Sequence, residues 1–348
     1  MALPVVVAAI AIAFVLALSP SVKNVSNKLF HVLLTRLVFL VVFIAALFIF
    51  ARYWIVQALS CNPNCIGVNL IGVDLSGSNL AGINLVGANM LNADLNNTDL
   101  SNADLSGANL QSANLQNANL EGALLIGADL ANADLRNTVL ISTNFSGANL
   151  SGVDFTRTDL TKAILLGADL GNTKLVQANL QKQNLAGGTL VDANLTGANL
   201  DNANMSGMGM SRANLSGATL RYVDLTGTWL NLANLTGADL TGANLSGTDV
   251  VGSLLASTHL RDANLVGVNM IGANLNGAEL FNADLTAARM FLNELDEKDL
   301  LDDALAELNE LQRSQIFKDI DLSGVQFDQT TLWPKGKEAL LASLLAQE

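Results

Sequence analysis

The 348-residue chain is expected to fold as an all-β solenoid. It should carry two amino-terminal transmembrane helices and end in a C-terminal capping helix. Three observations predict this. A five-residue word runs without insertion from Cys65 to Met290, two apolar runs precede it, and an acidic, leucine-spaced stretch follows it.

The word is plainest in NADLSGANLQSANLQNANL, residues 102–120. Each copy has a small residue, then Asn or Asp, then Leu, then two polar or small residues. Every fifth residue from Cys65 to Met290 forms a column of 46 positions, 37 of them Leu; the others are Cys65, Met90, Phe145, Phe155, Met205, Met210, Val250, Met270 and Met290. A period of five suits neither a helix nor a strand, whose side-chain periods are about 3.6 and 2.0. It suits a chain that turns a corner after each word. Four corners close a square coil of about 20 residues, and successive coils then pair at about 4.8 Å. The 46 words make eleven and a half coils, a rod of roughly 55 Å at that spacing. The central residue and the small residue two before it should point inward. Asn, Asp and Gly suit the corners, because they tolerate turn dihedrals and bond locally to backbone.

This text resembles the pentapeptide-repeat family, whose word is written A(D/N)LXX. The resemblance covers residues 61–290, about two thirds of the chain. It implies a right-handed quadrilateral β-helix. The text is also similar to membrane-bound members linked to envelope layers and glycolipid export in photosynthetic bacteria.

The word fails in places. Gln183 and Met208 sit where small inward residues are expected, and Gly188 underfills such a position. Leu124, Val139, Ile164, Trp229 and Leu254 replace Asn or Asp before the centre. Drift in a redundant repeat and a local bulge or docking point are the two readings of these departures.

Residues 1–60 read as a membrane anchor with helices at about 3–19 and 32–55. Leu3–Leu18 is uncharged and apolar, and Ser19-Pro20 ends it. A cleaved signal peptide is the alternative for this run, but it lacks a basic start. The run Leu37–Ala51 is bracketed by Arg36 and Arg52 and followed by Tyr53 and Trp54, as an interfacial belt would be. Lys23, Lys28 and Arg36 lie between the two runs. The connecting loop should therefore be cytoplasmic and the repeat domain periplasmic or thylakoid-lumenal.

In residues 291–348 the stretch NELDEKDLLDDALAELNELQR, residues 293–313, breaks the period. Leu295, Leu301, Leu305, Leu308 and Leu311 are close to helical spacing, with acidic residues on the other side. A capping helix is expected, since a solenoid's open end needs cover. IDLSGVQFDQTTLWP then resumes the word, with expected centres Leu322, Phe327 and Leu332.

Repeats four words apart share a wall. On one wall the residue after the centre is Ile66, Val86, Ile126, Leu166 or Val266; on the next it is Ile71, Leu91, Val191, Val251 or Ile271. Apolar residues gather at both rod ends, and exposed apolar area marks contact surfaces. Ile66, Ile71, Val86, Leu91, Val251, Val266 and Ile271 are therefore candidates for a partner or self-association surface. Cys61 and Cys65 are candidates for a disulfide at the junction with the anchor, an arrangement that requires an oxidising compartment.

The chemistry is otherwise quiet. His31 and His259 stand alone, no Cys/His cluster has metal spacing, and no phosphate-cradling glycine loop exists. No catalytic, metal or cofactor site is assigned. The net charge of −13 argues against nucleic-acid binding, which needs a basic face. The function expected is a non-enzymatic, membrane-anchored scaffold presenting a rigid wall to protein partners. The alternatives are an accessory or assembly factor for a membrane or export complex and an acidic DNA mimic acting on a topoisomerase.

Overall fold

A computed structural model describes residues 63–290 and 321–337, which belong to one compact unit, Pro63–Glu348. The two expected membrane helices, Cys61, the expected capping helix and the terminal residues 338–348 lie outside the described residues. Among the described residues no helix is long and apolar enough to cross a membrane.

The period sets the coil. The residue before each centre bridges in parallel to the residue 20 positions on, as in Asn64↔Asn84, Asn84↔Asp104 and Asp104↔Leu124. Four words therefore complete one turn of the solenoid. Each centre's N–H donates to the carbonyl of the bridging residue one coil later, as Leu85 N does to Asp104 O at 2.6 Å. The bridging residue's own N–H donates back one coil, as Asp104 N does to Ile83 O at 2.9 Å. Within each word the centre's carbonyl accepts from the residue three on, as Leu85 O does from Ala88 N at 3.0 Å, which closes a tight turn.

The turn explains the last letter of the word. From Gly67 to Ala287 the residue two after each centre has positive φ in every word except the one containing Lys162. A β-turn with φ above zero at its third residue favours Gly and Asn. Tyr222 at 56° and Leu232 at 62° adopt it too. These side chains cost about 1 kcal/mol each there, and the rest of the coil holds them in place.

The Asn/Asp letter has a matching role. Its Oδ1 accepts the N–H of the residue two on, as Asp94 does from Asn96 at 3.1 Å and Asn114 does from Gln116 at 3.2 Å. This satisfies a corner donor that lies off the ladder.

The core is a set of stacked columns. Every centre from Cys65 to Met290 is buried, Phe145 and Phe155 included. Where the small inward letter carries a hydroxyl, it bonds a centre carbonyl, either of the previous coil, as Thr98 does with Leu75 O, Thr143 with Leu120 O and Thr248 with Leu225 O, or of its own word, as Thr173 does with Leu170 O and Thr258 with Leu255 O. Gln183 is accommodated in the same way, with Nε2 donating to Leu160 O at 2.7 Å, and Met208 is fully buried. The expectation for Gly188 is corrected. A Cβ there would lie 2.5 Å from Ala168 O and 3.2 Å from Leu185 O. The coil has closed in on the glycine, so there is no gap to fill.

Four walls follow from the coil. The first holds centres Cys65, Leu85 and onward in steps of 20; the second starts at Leu70, the third at Leu75, the fourth at Leu80. The second wall ends at Met290. The chain re-enters at Asp321, which bridges Asn274, followed by Gln326 on Glu279 and Leu332 on Asp284. These rungs extend the third, fourth and first walls. Leu322 is a buried centre as expected. Phe327 and Leu332 are not: Phe327 follows the bridging Gln326 but is 41% exposed, and Leu332 takes the outward bridging place, because one extra residue enters the word after Phe327. Thr331 then points inward and donates to Leu280 O at 2.7 Å. Phe327 and Trp333 meet edge to face at 5.5 Å.

Candidate interaction surface

The ladder is regular except around residues 134–184. Among the described residues Asp134, Val139 and Ile164 form no bridge to the residue 20 positions on, whereas Leu124↔Asn144 and Asn144↔Ile164 are intact between them. At the same place Ser142 N donates to Lys162 O, one residue beyond its regular acceptor. Lys162 is also the residue that lacks the positive φ. Phe155, longer than the leucines it stacks on, occupies the column at this seam.

Two of the three interrupted rungs, and one intact rung beside them, are apolar on the outside. Leu124 and Ile126 flank one first-wall centre, Ile164 and Leu166 flank another, and Val139 and Ile141 flank a centre of the fourth wall. All six are exposed by 38–46%. The polar rung Asn144–Ser146 separates the two first-wall pairs, with Asn144 Oδ1 accepting from Ser146 N at 3.0 Å and Ser146 Oγ at 2.7 Å. The aliphatic residues cannot make that bond. The main-chain N–H of Ile126, Ile141 and Leu166 is therefore denied the side-chain acceptor that regular corners have. The six residues form an exposed apolar patch at mid-rod on two adjoining walls. Sequence reasoning noticed Leu124, Val139 and Ile164 singly, as failures of the word. The signal it did not use was the double substitution: Leu-Leu-Ile, Val-Leu-Ile and Ile-Leu-Leu each carry an aliphatic residue on both sides of the centre.

The expected surface residues divide. Ile66 and Ile71 are exposed, by 60% and 49%, and Val86, Leu91 and Val266 are half-buried. Val251 and Ile271 are 0% exposed, which corrects the expectation of an open distal patch: other atoms cover that stretch of the second wall. Cys65 is buried and disulfide-bonded.

The charged groups are built into the wall. Arg136 pairs with Asp134, Arg212 with Asp192, Arg221 with Asp201 and Lys174 with Asp154. The bidentate Arg136 holds the Asp134 carboxyl at about 2, well below its ordinary 3.8. Burial pushes Asp201 up, but Arg221 and the Arg221 N–H outweigh it and leave the carboxyl lowered. Hydrogen bonds from Ser101 lower Asp99, and hydrogen bonds from Thr156 lower Asp154. These are shifts of structural aspartates along a wall. Among the described residues no three His, Cys, Asp or Glu side chains converge to hold a metal ion.

The pentapeptide-repeat model matches in eight copies from residue 64 to residue 286, well over half of the chain. The chain belongs to the pentapeptide-repeat family. Solved members of that family are right-handed β-helices, and its proteins are generally non-enzymatic structural scaffolds. Three solved structures are similar to this chain. HetL, a pentapeptide repeat protein involved in heterocyst differentiation regulation in the cyanobacterium Nostoc sp. strain PCC 7120, is 25% identical over 78% of this chain and 92% of its own, with TM-score 0.27. Rfr23 from the cyanobacterium Cyanothece 51142 is 30% identical over 36% of this chain and 63% of its own, with TM-score 0.21. A pentapeptide repeat protein of the Arabidopsis thaliana thylakoid lumen is 27% identical over 28% and 68%, with TM-score 0.25. No curated protein matches the chain in sequence. Membership rests on the repeat itself.

Proposed function

We propose that this pentapeptide-repeat protein is a non-enzymatic interaction scaffold, anchored in a membrane by helices at about 3–19 and 32–55. Its rod would stand in the periplasm or a thylakoid lumen and bind a protein partner. The exposed aliphatic patch at mid-rod carries the reading. A rod of this family needs no aliphatic residue at those outward positions, and an Asn would stabilise the corner. Leu124, Ile126, Val139, Ile141, Ile164 and Leu166 instead present exposed apolar side chains on two adjoining walls, the two first-wall pairs one polar rung apart, and exposed apolar area of this kind marks a contact surface. Ile66 and Ile71 add a smaller apolar area at the amino-terminal end. An anchored rod of this kind also suits an assembly factor for a membrane or export complex, with the patch as the handle. An acidic DNA mimic is the reading the surface favours least, because four of the rod's basic residues pair with its aspartates along the walls.

The test restores the repeat's own word. In Leu124→Asn/Ile126→Ser/Ile164→Asn/Leu166→Ser the rod is expected to fold at least as well as the wild type. Affinity purification of the full chain in mild detergent should then lose a partner that the wild type retains in stoichiometric amount. Identical partners for both chains would refute the patch. The reading also includes a Cys61–Cys65 bridge at the junction with the anchor. Thiols that label in the native chain without reductant would exclude it.

A further inference from the structure

The interruption around residues 134–184 has a definite shape. In a regular coil the centre N–H and the corner N–H donate forward one coil, and the bridging N–H donates back. Between the words of Leu135 and Leu140 and those of Phe155 and Leu160 these bonds are missing among the described residues. The N–H groups of Leu135, Asn137 and Leu140 do not reach the coil beyond, and those of Asp154 and Asp159 do not reach the coil before. The same two coils stay bonded on the first and second walls, where Phe145 N donates to Ile164 O at 2.8 Å and Leu150 N to Asp169 O at 2.7 Å. One coil later a second gap opens across the first wall, where the N–H groups of Lys162, Leu165, Gly167 and Asn184 make no main-chain bond among the described residues. The ladder is thus open along half of the circumference at one level and on another side at the next.

The side-chain bonds turn away from the first gap on both sides. Gln116 Nε2 reaches Asp134 from the coil before, and Arg136 stays on Asp134 within its own word. Beyond the gap, Lys174 Nζ lies 3.7 Å from Asp154 Oδ2, and Arg157 Nε donates to Gln177 Oε1 at 3.0 Å. What spans the gap is the column, in which Leu135, Leu140, Phe155 and Leu160 are at most 6% exposed. Hydrogen bonds are directional, whereas apolar contact is not. Stacked side chains therefore keep the two coils together and leave their tilt free.

We infer that the seam is a joint. Residues 63–133 and 185–290 are two rigid segments that tilt against one another, and the bonded first and second walls are the hinge line of the first gap. The joint rests on the ladder alone; its effect on binding rests on the reading that the mid-rod patch meets a partner. Val139 and Ile141 border the first gap on its near side. Ile164 and Leu166 lie on its far side and border the second. A change of tilt alters the spacing between these pairs, and a partner that covers both fixes the tilt.

The full-length chain in detergent tests this with pairs of spin labels, attached through bio-orthogonal side chains so that the disulfide of Cys65 is left intact. Two pairs on the third wall span the same five coils, about 24 Å. Asn96 with Thr196 crosses the seam, and Val176 with Asn276 lies beyond the first gap on a wall that the second leaves bonded. The distance distribution of the first pair should be roughly twice as wide as that of the second. Equal widths would overturn the joint. In a second measurement, the amides of residues 135–142 should exchange with deuterium roughly tenfold faster than those of residues 95–102, the same two words two coils earlier. Equal protection would also overturn it. The joint and the contact surface fail separately. Equal widths, with a partner lost from the patch variant, would remove the joint and keep the surface; a wide first distribution with unchanged partners would do the reverse.

Discussion

The stretch from Leu70 to Leu130 and the stretch from Asp134 to Asn184 are written in the same word, yet the ladder is continuous in the first and interrupted in the second. The inward letters do not differ: centres are buried in both. The outward letters do. In the regular stretch nearly every bridging residue is Asn or Asp with its corner bond made; in the interrupted one Val139 and Ile164 make none. The leucine column is therefore sufficient to wind the chain, but loss of the polar letter does not by itself part the coils: Leu124, Trp229 and Leu254 keep their bridges, whereas Asp134, with its corner bond made, forms none to the coil beyond.

The largest expected effect contrasts the two cores. Leu110→Ala opens a hole in a column whose neighbours Met90 and Leu130 are fully buried, and is expected to destabilise the rod by about 3 kcal/mol. Leu135→Ala, at the seam, should cost about 2 kcal/mol, because the coils beyond it are already parted on the third and fourth walls and relax into the space. Thermal unfolding of the two variants should give the larger drop for Leu110→Ala. Equal drops would mean that the seam leaves the column as tightly packed as the regular rod.

A smaller and less intuitive effect lies at Gly188. The word asks for Ala at this position, so the substitution Gly188→Ala moves toward the repeat's own consensus. The new Cβ would meet Ala168 O at 2.5 Å and Ala168 N at 3.3 Å, and backbone cannot step aside as a side chain can. Gly188→Ala is expected to lower stability by about 2 kcal/mol. A gain in melting temperature would show that the coil had room after all.

Ile164→Asn should act in the opposite direction. The new Oδ1 would accept Leu166 N–H as Asn144 accepts Ser146 N–H at 3.0 Å, a gain of about 1 kcal/mol. The same substitution thins the proposed partner surface, so stability and partner binding should move in opposite senses. Val139→Asn should repeat this on the fourth wall. Loss of stability in both would mean that the aliphatic rungs are structural.

Much of the regular rod was legible because each letter has one physical job. The leucine column gave the period and the coil, Gly and Asn marked the left-handed corner, and Asn or Asp marked the bridging residue. The exceptions were legible only as departures. Thr161-Lys162-Ala163 carries nothing that distinguishes its turn from Asn137 or Lys182, where φ is positive. The burial of Val251 and Ile271 was out of reach for a different reason. The word reads the same at these two corners as at exposed ones, so nothing in the repeat pattern marks them as covered. Gly188 was misread because a consensus describes the average coil, whereas the contact that excludes a methyl group there comes from a single carbonyl.

The smallest effect is a pH dependence that belongs to the seam. Asp134 forms no bridge to the coil beyond it, and its carboxylate is held from its own word and from the coil before it. Arg136 Nε and Nη2 donate to it at 2.9 and 2.6 Å, Arg136 N–H at 3.2 Å, and Gln116 Nε2 reaches it from the previous coil. These bonds favour the ionised form and lower the carboxyl from 3.8 to about 2. A carboxyl depressed on folding contributes its full stability above its unfolded pKa and loses it as pH falls through the folded value. The contribution of Asp134 is therefore present at neutral pH and fades from about pH 4 to about pH 2. Arg136→Gln removes the largest cause and returns the carboxyl toward 3.8. The melting temperatures of wild type and variant should then differ most above about pH 4 and converge toward about pH 2. Other lowered aspartates, Asp99 and Asp192 among them, titrate in both chains and cancel in the difference. A difference that stays constant across this range would mean that Arg136 supports the seam through packing of its stem, with the charge pair contributing nothing.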